Sequence, residues 1–189
     1  MKLRPQHAQF LASHIVLGLS RSAITHIAAP LPTLNRLATQ VIQEDLQKEA
    51  AIERRARELL EEHQDEIEEG EIDERQLFSM IKKQIAKEEG FALTPSERYS
   101  RLAHRILDEL VEEKGIVCKV PENAVKSLIL GGIEEYLRFQ EDAYDAVMAK
   151  LRNYKKKLIA GSDEYELIFA RLYDCLLYTS DAADDYLTV

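Results

Sequence analysis

The fold of this chain is decided by residues 133–158, which read IEEYLRFQEDAYDAVMAKLRNYKKKL. Apolar side chains recur in this stretch at alternating steps of four and three residues, a spacing that places them along one face of an α-helix. Only Gln140 is polar in this face, which consists of Ile133, Leu137, Gln140, Tyr144, Val147, Leu151, Tyr154 and Leu158. The pattern predicts a helix of about 35 residues, roughly 50 Å long. Because such a helix needs a cover for its apolar face, we expect it to pack along another helix.

The same apolar pattern occurs earlier in the chain at a constant offset of 91 residues, the separation of Leu46 and Leu137. Apolar positions repeat at this offset, whereas almost no polar residue does. Three polar residues weaken the face of the first copy, which consists of Ile42, Leu46, Glu49, Glu53, Ala56, Leu60, His63 and Ile67. Duplicated packing without duplicated polar chemistry indicates a scaffold rather than a duplicated active site.

We therefore predict an all-α fold made of two tandem copies of a three-helix unit, with the long central helices packed together. The first copy spans residues 1–90 and the second, which is truncated, spans residues 91–174. Asp73 with Gln76, and the run Thr94-Pro95-Ser96-Glu97, have the residue types that start helices. Gly70 and Gly161 are predicted to end the long helices, because glycine tolerates the left-handed conformation found there.

Two short segments have a different character from the helices. Residues 23–27 and 115–120 are dominated by β-branched residues, and a proline follows each of them. Such residues favour extended backbone, as does a position before proline. We interpret both segments as extended connectors and predict that they pair as two strands between the copies.

The last fifteen residues, 175–189, resemble the read-through translation of a transposase adapter used to prepare sequencing libraries. The stretch that carries the resemblance begins CLLYTSDAADD at Cys175. An adapter-derived segment has to be excluded from reasoning about fold and function. We therefore treat residues 175–189 as a non-native tail and expect the native sequence to continue differently after Asp174.

Composition narrows the possible partners. The chain has 189 residues and a formal net charge of −9, which argues against a nucleic-acid backbone as the main partner. Before the tail, Cys118 is the only cysteine, so no intrachain disulfide is expected, as suits a reducing cytosol. No apolar run approaches the roughly 20 residues that cross a bilayer. We expect a cytoplasmic protein that does not enter a membrane.

The order of these features resembles the bacterial domain-of-unknown-function family 507. The residues that carry the resemblance are Leu77–Lys83 (LFSMIKK), Leu102–Leu107 (LAHRIL) and Glu134–Leu137 (EEYL). It covers essentially residues 1–174. The resemblance implies a helical bacterial protein with no assigned activity, and it brings no catalytic or cofactor-binding residues with it.

Motifs for catalysis and metal binding are missing from the sequence. None of the five histidines belongs to a His-Glu-x-x-His or Glu-x-x-His motif, so structural roles are the simpler interpretation for them. The pair Gly131-Gly132 lacks the strand and the further glycines of a phosphate-binding loop, and indicates either a bend or a close helix crossing instead. We expect no cofactor. An enzyme or metal-binding protein of undetected type stays open as an alternative, because catalytic groups assemble across a fold.

The two long helices differ in the charge of their C-terminal ends. Ten acidic residues lie from Glu58 to Glu74, and at the offset of 91 Glu61, Asp65 and Glu66 correspond to Arg152, Lys156 and Lys157 of the second copy. Acidic side chains near a helix C-terminus interact unfavourably with the helix dipole, and a partner bound at this end would offset that unfavourable interaction. The predicted partner-binding residues are Glu61, Asp65 and Glu66 at the acidic end and Arg152, Lys155, Lys156 and Lys157 at the basic end. We predict an interaction or scaffold protein with a protein partner or weak salt-sensitive self-association. A nucleic-acid partner at the basic end is a further alternative.

Overall fold

The computed structural model of the chain describes residues 3, 5–63, 73–154, 159 and 161–185, with side chains up to residue 176. Helices dominate, so the prediction of an all-α protein is confirmed at the level of fold class. After a 3₁₀ turn at Pro5–His7, the helices are α1 (Ala8–Arg21), α2 (Leu31–Glu62), α3 (Glu74–Glu88), α4 (Pro95–Glu112), α5 (Glu122–Arg152) and α6 (Asp163–Asp185). Two strands, β1 (Thr25–Ile27) and β2 (Ile116–Cys118), complete the described structure. The chain divides into two compact units, Lys2–Ile133 and Glu134–Val189.

In the unit Lys2–Ile133, the long helix α2 is the centre of the packing. Helices α1, α3 and α4 all pack against it, and their apolar residues recur at helical spacing. The side chains of Leu34, Ile42 and Ile52 on α2 are fully buried. Around them, α1 buries Leu11, Ile15 and Leu19, and α4 buries Leu102, Ile106 and Leu110. The core of this unit is therefore built from one stripe of each helix.

The helix starts are largely as predicted. Asp73 is the N-cap of α3, and its carboxylate accepts hydrogen bonds from the backbone N–H groups of Arg75 and Gln76. Thr94 is the N-cap of α4 with Pro95 in the first turn, but its side chain makes no capping hydrogen bond. The Glu97 carboxylate, three residues after Thr94, pairs with Arg101 on the next turn of α4.

The predicted pairing of the two extended segments is confirmed. Strands β1 and β2 are antiparallel, with Thr25 opposite Cys118, His26 opposite Val117 and Ile27 opposite Ile116. The sheet is joined to α1 by the Thr25 hydroxyl, which donates to the Leu19 carbonyl at 2.6 Å. Because strands of three residues are too short to stand alone, the helices around them have to supply their stability.

Close packing next to β2 requires a glycine. Gly115 lies beside the buried Leu34 side chain, so a Cβ at this position would collide with Leu34 Cδ2. The Gly115 carbonyl accepts hydrogen bonds from the N–H groups of Ala28 and Ala29. A second glycine, Gly132 on α5, crosses α1 closely, since a Cβ there would lie 3.6 Å from Ile15 Cγ1. Of the two alternatives predicted for the Gly131-Gly132 pair, this agrees with the close helix crossing, and it concerns Gly132 alone, since a Cβ at Gly131 would meet nothing within 4 Å.

In the unit Glu134–Val189, α6 packs against the second half of α5. Ala143, Val147 and Leu151 of α5 form a buried cluster with Tyr173 of α6, and partly buried aromatic rings surround it. The predicted face is correct at Gln140, Val147 and Leu151, which are buried. Elsewhere the buried face is displaced by one residue, because Tyr136 and Ala143 are buried whereas Leu137 is half-buried and Tyr144 is exposed. The buried residues Tyr136, Gln140, Ala143 and Val147 keep the alternating steps of four and three, so the buried face is rotated slightly about the helix axis relative to the predicted one.

The long helices are shorter than predicted. Helix α2 ends at Glu62 and α5 ends at Arg152, where the N–H of Tyr154 bonds to the Leu151 carbonyl in a tighter turn. Gly161 does have the left-handed conformation, with φ of 83°, but it precedes α6 and does not end α5. The prediction that Gly161 ends α5 is therefore wrong. Gly70, Ile67 and Leu158 lie outside the described residues.

Candidate functional site

A buried arginine connects α4 to α2. Arg98, in the first turn of α4, is 8% exposed, and its Nε and Nη2 atoms donate to Asp45 Oδ2 at 2.8 and 2.6 Å. Its Nη1 donates to Glu49 Oε2 at 2.7 Å. Asp45 and Glu49 lie one turn apart on α2, so their carboxylates share one face of that helix. The arrangement uses the planar fork of the guanidinium to bind two carboxylates at once.

The environment of Arg98 keeps its charge in place. Burial alone would lower the pKa of Arg98, but the charge of Asp45 and the hydrogen bonds to Asp45 and Glu49 outweigh burial and raise it. The guanidinium also lies over the ring of Phe91, with its carbon 5.1 Å from the ring centroid. The interactions with the two carboxylates and the contact with the Phe91 ring favour a permanently charged, fixed arginine over a group that exchanges protons.

A lysine from α3 extends this network. Lys82 Nζ lies 2.7 Å from Glu53 Oε1 and 3.7 Å from Glu49 Oε1, and its side chain is 20% exposed. Glu49 is therefore shared between cations from two helices. We call the set Asp45, Glu49, Glu53, Lys82 and Arg98 the ionic clasp, because it joins α2, α3 and α4.

An open groove of about 410 Å³ lies beside the clasp, between α2 and α4. Its rim is polar: Arg105 Nη2 donates to Glu44 Oε2 at 2.8 Å, and Arg101 Nη1 donates to the Gly90 carbonyl at 2.9 Å. Lys48 Nζ donates to the Glu89 carbonyl at 3.0 Å. We call this space the charged groove; four of the residues that line it are cationic and two are acidic.

The rim cations are available for exchange with a ligand. The pairs Arg105–Glu44 and Arg101–Glu97 have side chains about half exposed, and exposed pairs contribute only about 0–1 kcal/mol. A carboxylate from another molecule can replace the internal partner at little cost. The groove is thus suited to binding carboxylates.

Groups that would support catalysis or metal binding are not brought together in the described part of the chain. No set of three or more His, Cys, Asp or Glu residues there is placed to hold a metal ion. His104 Nδ1 lies 3.6 Å from Asp108 Oδ1 on an exposed surface of α4. Burial, and then the charge of Glu122, raise the pKa of the Cys118 thiol, which reduces its thiolate fraction and its reactivity. Across the same residues, no helix is both long and apolar enough to cross a membrane.

The residues predicted to bind a partner are only partly described. Glu61 is exposed in the last turn of α2, and Arg152 is exposed at the end of α5. Asp65, Glu66, Lys155, Lys156 and Lys157 lie outside the described residues. The charged groove uses none of these seven positions.

The ionic clasp and the charged groove were missed by the sequence-based prediction. The sequence contains one signal for them: Glu49 interrupts the apolar face of α2, and a charged residue at a core position requires a buried partner. The partner could not be chosen from the sequence, because Arg98 lies 49 residues further along the chain.

The chain was compared with models of known protein families. A family model described as "Protein of unknown function (DUF507)" matches residues 1–178, nearly the whole chain. No curated protein matches the chain in sequence.

Proposed function

The chain belongs to the DUF507 family, and on this premise we propose that it is a non-enzymatic interaction protein that binds an acidic segment of a protein partner in the charged groove. The observation that carries the proposal is the set of exchangeable cations on the groove rim. Four cationic and two acidic residues line the groove, and the acids that pair with the rim arginines, Glu44 and Glu97, are about half exposed. Because such exposed pairs contribute little, the carboxylates of an acidic ligand can replace Glu44 and Glu97 on Arg105 and Arg101.

The ionic clasp supports this function by fixing the walls of the groove. Arg98 lines the groove from its buried end, and Asp45 and Glu49 hold it in one orientation. A preorganised wall lowers the entropy that binding would otherwise cost. The rim residues Lys48, Arg101 and Arg105 are then left to contact the ligand.

Fluorescence anisotropy with labelled poly-L-glutamate tests the proposal directly. We expect binding at low salt that weakens as salt is added, because exposed charges are screened. Arg105→Glu should weaken binding by about tenfold or more, about 1.4 kcal/mol, because the charge reversal removes an attraction to the ligand and adds a repulsion. The matched control is Arg54→Glu, which changes the same charge on the exposed side of α2, away from the groove. Equal effects of the two variants, or no binding at low salt, would refute the proposed function.

The fold and the cellular setting of this function are also proposals. We propose that the chain is a duplication of a three-helix unit with packed central helices, in a bacterial cytoplasm. Equal burial at positions 91 residues apart supports the duplication: Leu11 and Leu102, Ile42 and Ile133, and Leu60 and Leu151 are buried pairs. The starts of α2 and α5, at Leu31 and Glu122, have the same separation.

The charged helix ends stay a second proposed contact. The acidic end at Glu61, Asp65 and Glu66 and the basic end at Arg152 and Lys155–Lys157 would attract each other between chains, giving a weak head-to-tail contact. Sedimentation velocity at low and high salt distinguishes this contact from the groove, because the charge-reversal variant Arg105→Glu should leave any self-association unchanged.

A further inference from the structure

Aromatic side chains form one connected cluster in the unit Glu134–Val189. Phe169 of α6 is stacked with both Tyr165 and Tyr173, whose ring centroids lie 6.5 and 5.8 Å from its own. Tyr144 of α5 joins the cluster from the other helix, with its ring centroid 5.5 Å from that of Phe169. Tyr173 is buried, whereas the other three residues are exposed or half-buried. We call Tyr144, Tyr165 and Phe169 the aromatic platform.

The Tyr144 ring is the part of the platform that another molecule can reach. Tyr144 is 41% exposed, although Val147 one turn later is fully buried. The two rings meet at an angle of 60°, and Phe169 can cover at most one of the two faces of the Tyr144 ring. The face of an aromatic ring carries partial negative charge, so an open face attracts cations.

Helix packing does not call for exposed rings at these positions. At the offset of 91 residues, Tyr144 corresponds to Glu53, which joins α2 to α3 through an ion pair with Lys82 at 2.7 Å. Tyr165 corresponds to the exposed Glu74. The first copy therefore joins its two helices without an aromatic residue at either position. The tyrosines of the second copy need another explanation, and ligand binding supplies one.

The charge around the platform favours a cation. Glu141 lies one turn before Tyr144 on α5, and Glu166 lies one turn before Phe169 on α6, so each glutamate shares a helix face with its aromatic residue. No lysine or arginine occupies a position three or four residues from any member of the platform. Both glutamates are exposed, and neither forms an ion pair with another described residue. An approaching cation thus meets an aromatic face and unpaired carboxylates.

The chain itself shows how such a surface holds a guanidinium. Arg98 lies over the Phe91 ring, with its guanidinium carbon 5.1 Å from the ring centroid, and at the same time donates to the carboxylates of Asp45 and Glu49. A planar guanidinium can stack on a ring while the N–H groups at its edge reach a carboxylate. A lysine ammonium is a compact point charge without this geometry. The aromatic platform is therefore better suited to arginine than to lysine.

We propose that the aromatic platform binds an arginine side chain from a basic segment of a partner protein. The guanidinium lies on the open face of the Tyr144 ring and donates to the Glu141 carboxylate, while Glu166 adds attraction from α6. This site goes beyond the proposed function, because it lies in the other compact unit of the chain and takes a ligand of the opposite charge.

Fluorescence anisotropy with a labelled peptide of alternating arginine and glycine, measured on the full chain, tests the site. In two matched peptides, every arginine is replaced by lysine or by citrulline, which keeps the shape of arginine without its charge. We expect the arginine peptide to bind at low salt, the lysine peptide to bind about threefold to tenfold more weakly, and the citrulline peptide not to bind measurably. Equal affinities for the arginine and lysine peptides would show attraction by net charge alone and would overturn the inference.

Substitutions that keep the net charge separate the ring from the general negative charge of the chain. Tyr144→Leu removes the aromatic face and should weaken binding of the arginine peptide about threefold to tenfold. Tyr144→Phe keeps the face and should bind as the unaltered chain does. Tyr154→Leu is the matched control, because Tyr154 is 44% exposed but has no acidic residue three or four positions away.

A second pair of variants tests the carboxylate. Glu141→Gln should weaken binding of the arginine peptide by about threefold or more, because the guanidinium loses its acceptor. Glu112→Gln removes the same charge from an exposed position at the end of α4 and should have less effect. Circular dichroism checks that all variants remain helical. If Tyr144→Leu does not fold, the carboxylate pair and the comparison of arginine with lysine decide the outcome.

The outcomes also separate this site from the charged groove. If Tyr144→Leu and Tyr154→Leu have equal effects, or if Tyr144→Phe loses as much affinity as Tyr144→Leu, the ring does not bind the guanidinium and the inference is wrong. Binding of poly-L-glutamate should be unchanged in Tyr144→Leu, so the proposed function stands even where this site fails. Conversely, Arg105→Glu should leave binding of the arginine peptide undiminished, and a loss there would place the basic ligand outside the platform.

Discussion

Removing the buried guanidinium should test whether the ionic clasp stabilises this fold. In Arg98→Met the apolar part of the side chain is kept, but Asp45 and Glu49 lose the cation that they share. Breaking a buried ion pair typically costs about 3–5 kcal/mol, because a buried charge is left uncompensated. Glu49 still has Lys82 at 3.7 Å after the substitution, so among the described residues only Asp45 is left without a paired cation. We therefore expect the lower part of this range, about 3 kcal/mol.

Urea unfolding followed by circular dichroism at low and high salt measures this cost. The exposed pair Arg101–Glu97 provides the control, because Arg101→Met should cost less than about 1 kcal/mol. Adding Asp45→Asn and Glu49→Gln to Arg98→Met removes the uncompensated charges and should recover most of the loss. The reasoning would be refuted if Arg98→Met cost no more than Arg101→Met, or if the neutral triple variant were less stable than Arg98→Met alone.

Three further predictions concern single positions. Gly115→Ala should lower the free energy of unfolding by about 1–3 kcal/mol, because the new Cβ meets the buried Leu34 side chain; an unchanged melting temperature would contradict this packing. Asp73→Ala should lower the free energy of unfolding in urea by about 1 kcal/mol, because α3 loses its N-cap. An unaltered urea midpoint would show that the cap does not stabilise the protein. Cys118 should react with iodoacetamide more slowly than the exposed Cys175, because its raised pKa leaves less thiolate at a given pH. Its reaction should accelerate as the pH rises, and equal rates for the two thiols at mildly alkaline pH would be inconsistent with a shielded Cys118.

The helices and the strand pair could be predicted from local patterns. Apolar spacing located α2 and α5, the cap residue Asp73 located the start of α3, and β-branched runs before proline located β1 and β2. Each of these signals acts over a few neighbouring residues, so the sequence carries it directly. The helix ends were harder to predict, because α5 ends at Arg152 in a tighter turn that contains no glycine.

The site could not be predicted in the same way. Asp45 and Arg98 are 53 residues apart, and they meet only because α4 packs on α2. A charge at a helix core position indicates that some partner exists, but only the tertiary fold identifies it.

The register of the small sheet has a consequence for binding stoichiometry. The central pair of the sheet is His26 with Val117. Adding 91 to residue numbers 25, 26 and 27 of β1 gives 116, 117 and 118 of β2. The pair of residues 25 and 118 therefore corresponds to the pair of residues 116 and 27 on the other side of the centre. The ribbon therefore has a local two-fold axis through its central pair, the arrangement by which two identical subunits would join. A dimer of identical subunits must carry every surface twice. Within one chain the axis of the ribbon relates strands of different sequence, Thr-His-Ile and Ile-Val-Cys, so it does not require any other surface to occur twice. We therefore expect one acidic ligand per chain in a calorimetric titration.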